Sequence, residues 1–295
     1  MANKSPPKIL ILMAAYNGSH WISEQIASII GQRHVDIDLL VSIDPSEDDT
    51  LQIVQGMSKS DSRIKILNSN IKFGSASRNF FHLLANSPLA EHEFIALSDQ
   101  DDIWLPEKLI NSIRSMIKDN AQCFSSNVIA FNDVSKAQQL IVKSAPQTNF
   151  DYFFESAGPG CTFVISRYAF AKIKTFLQQQ PWITEKVTQH DWLIYAFCRT
   201  NDLRWVISSR PDLLYRQHSE NAFGANITFS SMICRSKLIL NGWYKEQIRY
   251  IAMATQNENA LKELVRNVLR LRILRTRRSV FGSVVILLLI HVRLI

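Results

Sequence analysis

Cysteine is scarce in this chain of 295 residues, and its four copies, Cys123, Cys161, Cys198 and Cys234, stand far apart with no paired spacing. That excludes a zinc ribbon and gives no disulfide framework, so the thiols are read as reduced. No segment repeats at a fixed period, and no low-complexity linker interrupts the first 233 residues. No apolar run is long enough to span a bilayer as a helix. Repeat arrays and polytopic membrane proteins are therefore excluded, and 46% hydrophobic with 20% charged residues argues against extended disorder. The length suits one large domain or one domain with an appendage. The first apolar run, Ile9–Ala15, is too short for a signal-peptide core and no cleavage region follows it, so a cytoplasmic location is expected.

Positive charge is also missing from most of the chain. Residues 234–295 hold 12 Lys and Arg against 3 Asp and Glu, a net of +9, whereas residues 1–233 hold 21 against 23, a net of −2. A mildly acidic body is a poor partner for nucleic acid, and none is expected. Any basic partner-binding surface belongs to the tail.

Three short apolar runs, Ile9–Ala15, Leu39–Ile43 and Phe94–Leu97, alternate with segments of helical periodicity such as Trp21–Ile30. Buried strands alternating with helices predict an α/β fold, a mainly parallel sheet flanked by helices. Ligands of such sheets bind beyond the carboxyl ends of the strands. The candidate functional residues are then those that follow each run: Ala15, Tyr16 and Asn17; Asp44; and Asp99, Gln100, Asp101 and Asp102. Residues 244–278 read as one or two basic amphipathic helices, with Leu261, Leu264, Val265 and Val268 on one face, followed by the apolar stretch Val280–Ile290. The chain is expected to divide into a catalytic domain over 1–233 and a basic helical extension over 234–295. That extension suits an anionic membrane surface. Packing of its apolar face on the catalytic domain is the alternative.

Three carboxylates within Asp99-Gln100-Asp101-Asp102-Ile103-Trp104, directly after a buried strand, cannot all ionise comfortably without a cation. Hard oxygen donors there suit Mg²⁺ or Mn²⁺ bound together with a diphosphate.

The order of several motifs resembles family 2 glycosyltransferases of the GT-A fold. Ala14-Ala15-Tyr16-Asn17-Gly18, Val41-Ser42-Ile43-Asp44-Pro45-Ser46 and Asp99-Gln100-Asp101-Asp102 match that family's first three motifs in turn. Gly160-Cys161-Thr162, His190-Asp191-Trp192 and Tyr215-Arg216-Gln217-His218 are similar to its bacterial rhamnosyltransferase branch, and the resemblance covers roughly residues 8–225. The second motif departs from the family's usual Asp-Asp-Gly-Ser, with Ile43 for the first acid and Pro45 for glycine, while Asp44 is retained.

The resemblance implies a metal-dependent, inverting transferase moving one sugar from a UDP- or dTDP-linked donor to a polyprenyl-diphosphate-linked oligosaccharide, at the inner face of the cell membrane. Ala15, Tyr16, Asn17, Asp44, Arg78 and Asp99 would bind the nucleotide, with Asp44 accepting from the pyrimidine N3–H. Asp99, Asp101 and His218 would hold the metal, and Asp191 would be the catalytic base. Asp102, Trp104, Gly160, Trp192 and Arg216 would contact donor or acceptor, Trp192 by stacking on a sugar and Arg216 by pairing with phosphate. Read locally, Asp44 is equally a turn residue, Asp102 a cap for the helix near Pro106, and Asp191 an N-cap. Other readings are a sugar-phosphate nucleotidyltransferase, disfavoured because no Gly-rich basic loop follows the first strand, and a catalytically silent scaffold, disfavoured by the intact acids.

Overall fold

The computed structural model describes residues 5–67, 71–88, 91–218, 237–270 and 275–292. The expected domain boundary at 233 and Cys234 lie outside the described residues. The order of elements begins β1 (Lys8–Ala15), α1 (Ile22–Ile30), β2 (Asp36–Ile43), α2 (Thr50–Ser60), β3 (Ile64–Ile66), α3 (Ala76–Asn86), β4 (Phe94–Ser98), β5 (Ile103–Trp104) and α4 (Lys108–Lys118). Then come β6 (Cys123–Ser126), β7 (Val128–Phe131), β8 (Gln138–Ile141), β9 (Val164–Ser166), α5 (Arg167–Gln179), α6 (Ile183–Lys186), α7 (His190–Thr200), β10 (Trp205–Ser208) and β11 (Leu213–Arg216). The tail contributes α8 (Trp243–Ala254), α9 (Glu258–Leu269) and α10 (Val280–His291).

From Ile9 onward β1 is apolar because it is covered on both faces, and it pairs in parallel with β2 and with β4. Seven strands run in the order β10-β6-β9-β4-β1-β2-β3. Only β9 runs antiparallel to its neighbours β4 and β6. Alternation along β1 divides the core: Ile9, Ile11 and Met13 face α1, α2 and α4, whereas Leu10, Leu12 and Ala14 face α3, α5 and α7.

A second sheet, β5-β11-β7-β8, lies beside the site. β5 pairs antiparallel with β11, Leu213 opposite Trp104 and Leu214 opposite Ile103. This register places the acidic stretch that ends at Asp102 against Arg216–His218, from the far end of the catalytic half.

The tail is part of the main core. Ile248 and Ile251 of α8, Leu264 and Val268 of α9, and Ile286 and Ile290 of α10 are buried in the same cluster as α3, α5 and α7. The apolar face of α9 offered above to a membrane is thus covered by protein, and the packing alternative describes it. No described helix is long and apolar enough to cross a membrane. Shortening Ile251 to Ala should lower unfolding free energy by about 2–5 kcal/mol in one cooperative urea transition. Two transitions, with the first alone shifted, would show that the tail folds as a separate unit.

Candidate active site

Backbone turns at the ends of β1, β2 and β4 build the site, tied to one another by side chains. Gln100 makes two hydrogen bonds to the main chain of Tyr16, accepting from its N–H at 2.8 Å and donating to its carbonyl at 2.7 Å. A Cβ at Gly18 would strike the Gln100 amide, so glycine lets the β1 turn close over it with these two hydrogen bonds undisturbed. Asn17 adopts a left-handed φ of 47°, its side chain accepts from Glu47 N–H at 2.9 Å, and its own N–H donates to Ser46 at 3.1 Å. Ala15 is buried at the end of β1, and the Tyr16 ring beyond it is 49% exposed.

Asp44 is buried, and its carboxylate accepts from Phe73 N–H at 3.0 Å and from Gly74 N–H at 2.7 Å. It therefore ties the end of β2 to the loop entering α3, a structural role beyond that of a turn residue. Arg78 lies exposed in the first turn of α3.

The acids converge after β4. Asp99, Asp102 and Cys161 each place a ligand-capable atom within 4.8 Å of the others. Burial, then the neighbouring Asp101 and Asp191 charges, push the Asp99 carboxyl up to about 7. Burial and the same crowding hold Asp102, which is fully buried, well above the usual carboxylate range. It caps no helix; it accepts from Arg216 N–H at 3.2 Å. Burial and the two carboxylates raise the Cys161 thiol well above its ordinary value, so it stands as a protonated donor. Asp101 pairs with His218 Nε2 at 2.8 Å, and the His218 ring stacks on Trp21 with centroids 3.9 Å apart.

Asp191 sits in the first turn of α7, and burial pushes its carboxyl up to about 6. Its carboxylate accepts from Trp192 N–H at 2.7 Å. It is close enough to Asp99 to raise that group in turn. Two neighbouring carboxyls whose proton affinities are both raised are the arrangement expected of an acid–base site.

Four expected contacts are corrected by packing. Trp104 is 2% exposed beneath α4, its ring covered by the Lys108 ammonium 3.7 Å from the centroid. Trp192 is 5% exposed, donates from Nε1 to the Tyr152 carbonyl at 2.8 Å and stacks on Tyr244, so it offers no face to a sugar. Arg216, 3% exposed, has its guanidinium taken by Glu24 at 2.5 Å and by Asp133, while Nε donates to the Asp101 carbonyl at 2.7 Å. It closes the acidic turn instead of facing a phosphate. Gly160 is buried, and the space its Cβ would need holds the His190 Nε2. The His190 ring stacks on Phe80 at 4.2 Å, and burial depresses it to about 3, which keeps it neutral. Sequence reasoning singled out Gln100 without its partner Tyr16 and gave no role to His190, Glu24 or the acid-facing part of Cys161, because their partners lie far away along the chain.

A largely parallel sheet whose strand ends gather acids above a turn closed by glycine is the architecture of a GT-A glycosyltransferase. Residues 10–174 match the model of glycosyl transferase family 2, and the chain belongs to that family. It is 41% identical to the dTDP-rhamnosyl transferase RfbG of Shigella flexneri over 94% of this chain and 98% of that one. A second relative, the UDP-Glc:alpha-D-GlcNAc-diphosphoundecaprenol beta-1,3-glucosyltransferase WfgD of Escherichia coli, is 34% identical over 53% of this chain and 59% of its own length. Among solved structures, S. aureus TarS 1-349 in complex with UDP-GlcNAc superposes with a TM-score of 0.56 at 15% identity, covering 96% of this chain and 81% of that chain. The protein is a glycosyltransferase. Replacing Gly160 by Ala should drive the His190 ring from its stack on Phe80 and reduce turnover by an order of magnitude or more. Wild-type kcat with an unchanged fold would show that the close approach is incidental.

Proposed function

We propose that the chain transfers a single rhamnose, or another hexose, with inversion from a dTDP- or UDP-linked donor to a polyprenyl-diphosphate-linked oligosaccharide during bacterial surface polysaccharide synthesis, of O-antigen or capsule type. The observation that carries this reading is the Asp191 carboxylate beside Asp99, near enough to raise it, with the 41% identity to a dTDP-rhamnosyl transferase naming the first donor to try. The lipid-linked acceptor follows from the name of the WfgD relative.

The acceptor hydroxyl oxygen forms the new bond to the anomeric carbon while the bond to the diphosphate oxygen breaks, its electron pair leaving with the nucleotide. The hydroxyl proton passes to Asp191. A single attack opposite the leaving group inverts the anomeric centre. Tyr16 offers an exposed ring to the base, and Ala15, Asn17 and Asp44 frame the pocket, with Arg78 at its rim. A free lone pair on the tied Asp44 carboxylate is the acceptor for a pyrimidine imide.

The donor set fits a hard divalent ion. Asp99 and Asp101, with Asp102 behind and His218 attached, offer oxygen and imidazole ligands, and the raised Asp99 and Asp102 carboxyls report crowding that a cation relieves. Mn²⁺ or Mg²⁺ there would neutralise charge on the departing diphosphate.

Asp191→Asn should abolish transfer while leaving dTDP-rhamnose binding in Mn²⁺ within about twofold of wild type. Because the base works only ionised, wild-type kcat should fall as pH drops through about 6 and be flat above it. Turnover by Asp191→Asn would remove that residue from the chemistry.

The enzyme is further read as peripheral at the inner membrane face. Support comes from the outer side of α10, where Val280, Phe281, Val284, Leu288 and Val292 are exposed at intervals of about four residues, beside the exposed cations Lys262, Arg266, Arg270 and Arg275. Phe281→Glu with Leu288→Glu should abolish co-sedimentation with phosphatidylglycerol vesicles. Undiminished binding by this variant would exclude α10 as the contact.

A further inference from the structure

The candidate cation ligands Asp101 and His218 are held from outside by residues to which the transfer reaction gives no part. We infer that Trp21 and Glu24, at the start of α1, are positioning residues for the divalent-cation site, acting on Asp101 through His218 and Arg216; this rests on Asp101 and His218 being ligands of that site.

Trp21 is the residue on which α1 begins, and Glu24 lies in its first turn. Residues three apart on a helix are neighbours on its surface, so the two side chains look the same way. Extended pairing continues past the end of β11, where Gln217 N–H donates to the Phe131 carbonyl at 2.8 Å. Along such a chain Arg216 and His218, two apart, also share a side. The two pairs interlock. The Trp21 ring stacks on the His218 imidazole, centroids 3.9 Å apart and planes at 21°, and Glu24 Oε2 lies 2.5 Å from Arg216 Nη2.

Arg216 and His218 then take different parts of Asp101. His218 Nε2 pairs with its carboxylate at 2.8 Å, while Arg216 Nε donates to its carbonyl at 2.7 Å. Side chain and main chain of one acid are thus fixed by one strand end, and that strand end is fixed by one helix turn. The Arg216 guanidinium is buried over the Phe131 ring, 4.7 Å from its centroid, and Asp133 takes its Nη1. Next along α1, Gln25 is fully buried and donates to the Ser98 hydroxyl at 2.8 Å and to the Asp99 carbonyl at 3.3 Å. The same helix therefore also holds the start of the acidic stretch.

A cation binds more tightly to ligands that already stand in place, because their ordering entropy is then lost on folding and not on binding. Outer partners of metal ligands typically account for about ten- to a hundredfold of affinity. An imidazole released from its stack samples further rotamers, and a guanidinium released from Glu24 slackens its grip on the Asp101 main chain. Neither Trp21 nor Glu24 need touch the cation for this. The backbone of the helix start is secured independently, since the Gly18 carbonyl accepts from Trp21 N–H at 3.0 Å and from Ile22 N–H at 2.9 Å. Replacing the Trp21 side chain leaves those bonds in place.

The test is Mn²⁺ binding by the full chain without donor or acceptor, followed by the electron paramagnetic resonance of the free ion. Trp21→Leu should weaken binding about tenfold, and Glu24→Gln about threefold because Asp133 still holds the guanidinium. Trp21→Phe, which keeps a ring for the stack, should stay within about twofold of wild type. Ile251→Ala, which loosens the tail core, should bind Mn²⁺ as wild type does and so separates positioning from stability. The Glu24→Gln loss should persist in about 0.5 M KCl, where a long-range charge effect is screened. Wild-type affinity in both Trp21→Leu and Glu24→Gln, or a loss in Ile251→Ala equal to that in Trp21→Leu, would overturn the inference; a Glu24→Gln loss abolished by salt would overturn it for Glu24. Should Trp21→Leu fail to fold, the exposed Glu24 carboxylate carries the test. Failure of the cation reading is seen separately, as Mn²⁺ binding by Asp101→Asn that equals wild type.

Discussion

Crowding of like charge at the end of β4 is the constraint around which the rest is arranged. Asp99, Asp101 and Asp102 follow one another across a single turn, and burial and mutual repulsion raise Asp99 to about 7 and hold Asp102 well above the usual carboxylate range. The chain answers with partners brought from a distance. Arg216 binds both the Asp102 carboxylate and the Asp101 carbonyl, His218 holds Asp101, and the protonated Cys161 thiol stands against Asp99 and Asp102. Lys108, buried on the Trp104 ring and lowered to about 8 by desolvation, adds a positive charge beneath the cluster. Pairing of β5 with β11 exists at the one register that makes these contacts simultaneous.

The sequence and the structure agree where a short-range signal was available. The apolar runs at Ile9, Leu39 and Phe94 became β1, β2 and β4 because a strand buried on both faces leaves no room for polar residues, and the acids after them fell at the strand ends as the topology requires. Disagreement is confined to long-range packing. Trp104 and Trp192 sit beside acids in sequence, and aromatic rings next to carboxylates suggest sugar platforms. Whether a ring faces a cleft or a core depends on which helix lies over it, here α4 for one and α8 for the other. Arg216 was legible as a charge near the site, but Glu24 and Asp133, the acids that claim it, lie 192 and 83 residues away.

The tail gives the sharper lesson. Its amphipathic periodicity was legible, and the same stripe of leucine and valine serves a membrane or a protein core equally well. Burial of Leu264 and Val268 decides for the core in α9, while the outer side of α10 keeps its apolar residues in the open. Likewise the basic cluster at 275–278 is divided, with Arg275 exposed and Arg278 enclosed by Asp151 and Glu155. Net charge by segment could not have made that division.

One face of the central sheet is completed by α8, α9 and α10, which a ribosome makes after every strand of that sheet. Until those helices emerge, the nascent chain carries the apolar flank of α3, α5 and α7 without its cover, and Asp151 and Glu155 without the two arginines that satisfy them. Synthesis of these three helices is therefore the step that covers this face, and a chain released before it would present a sticky, unfinished surface of the kind chaperones and proteases act upon.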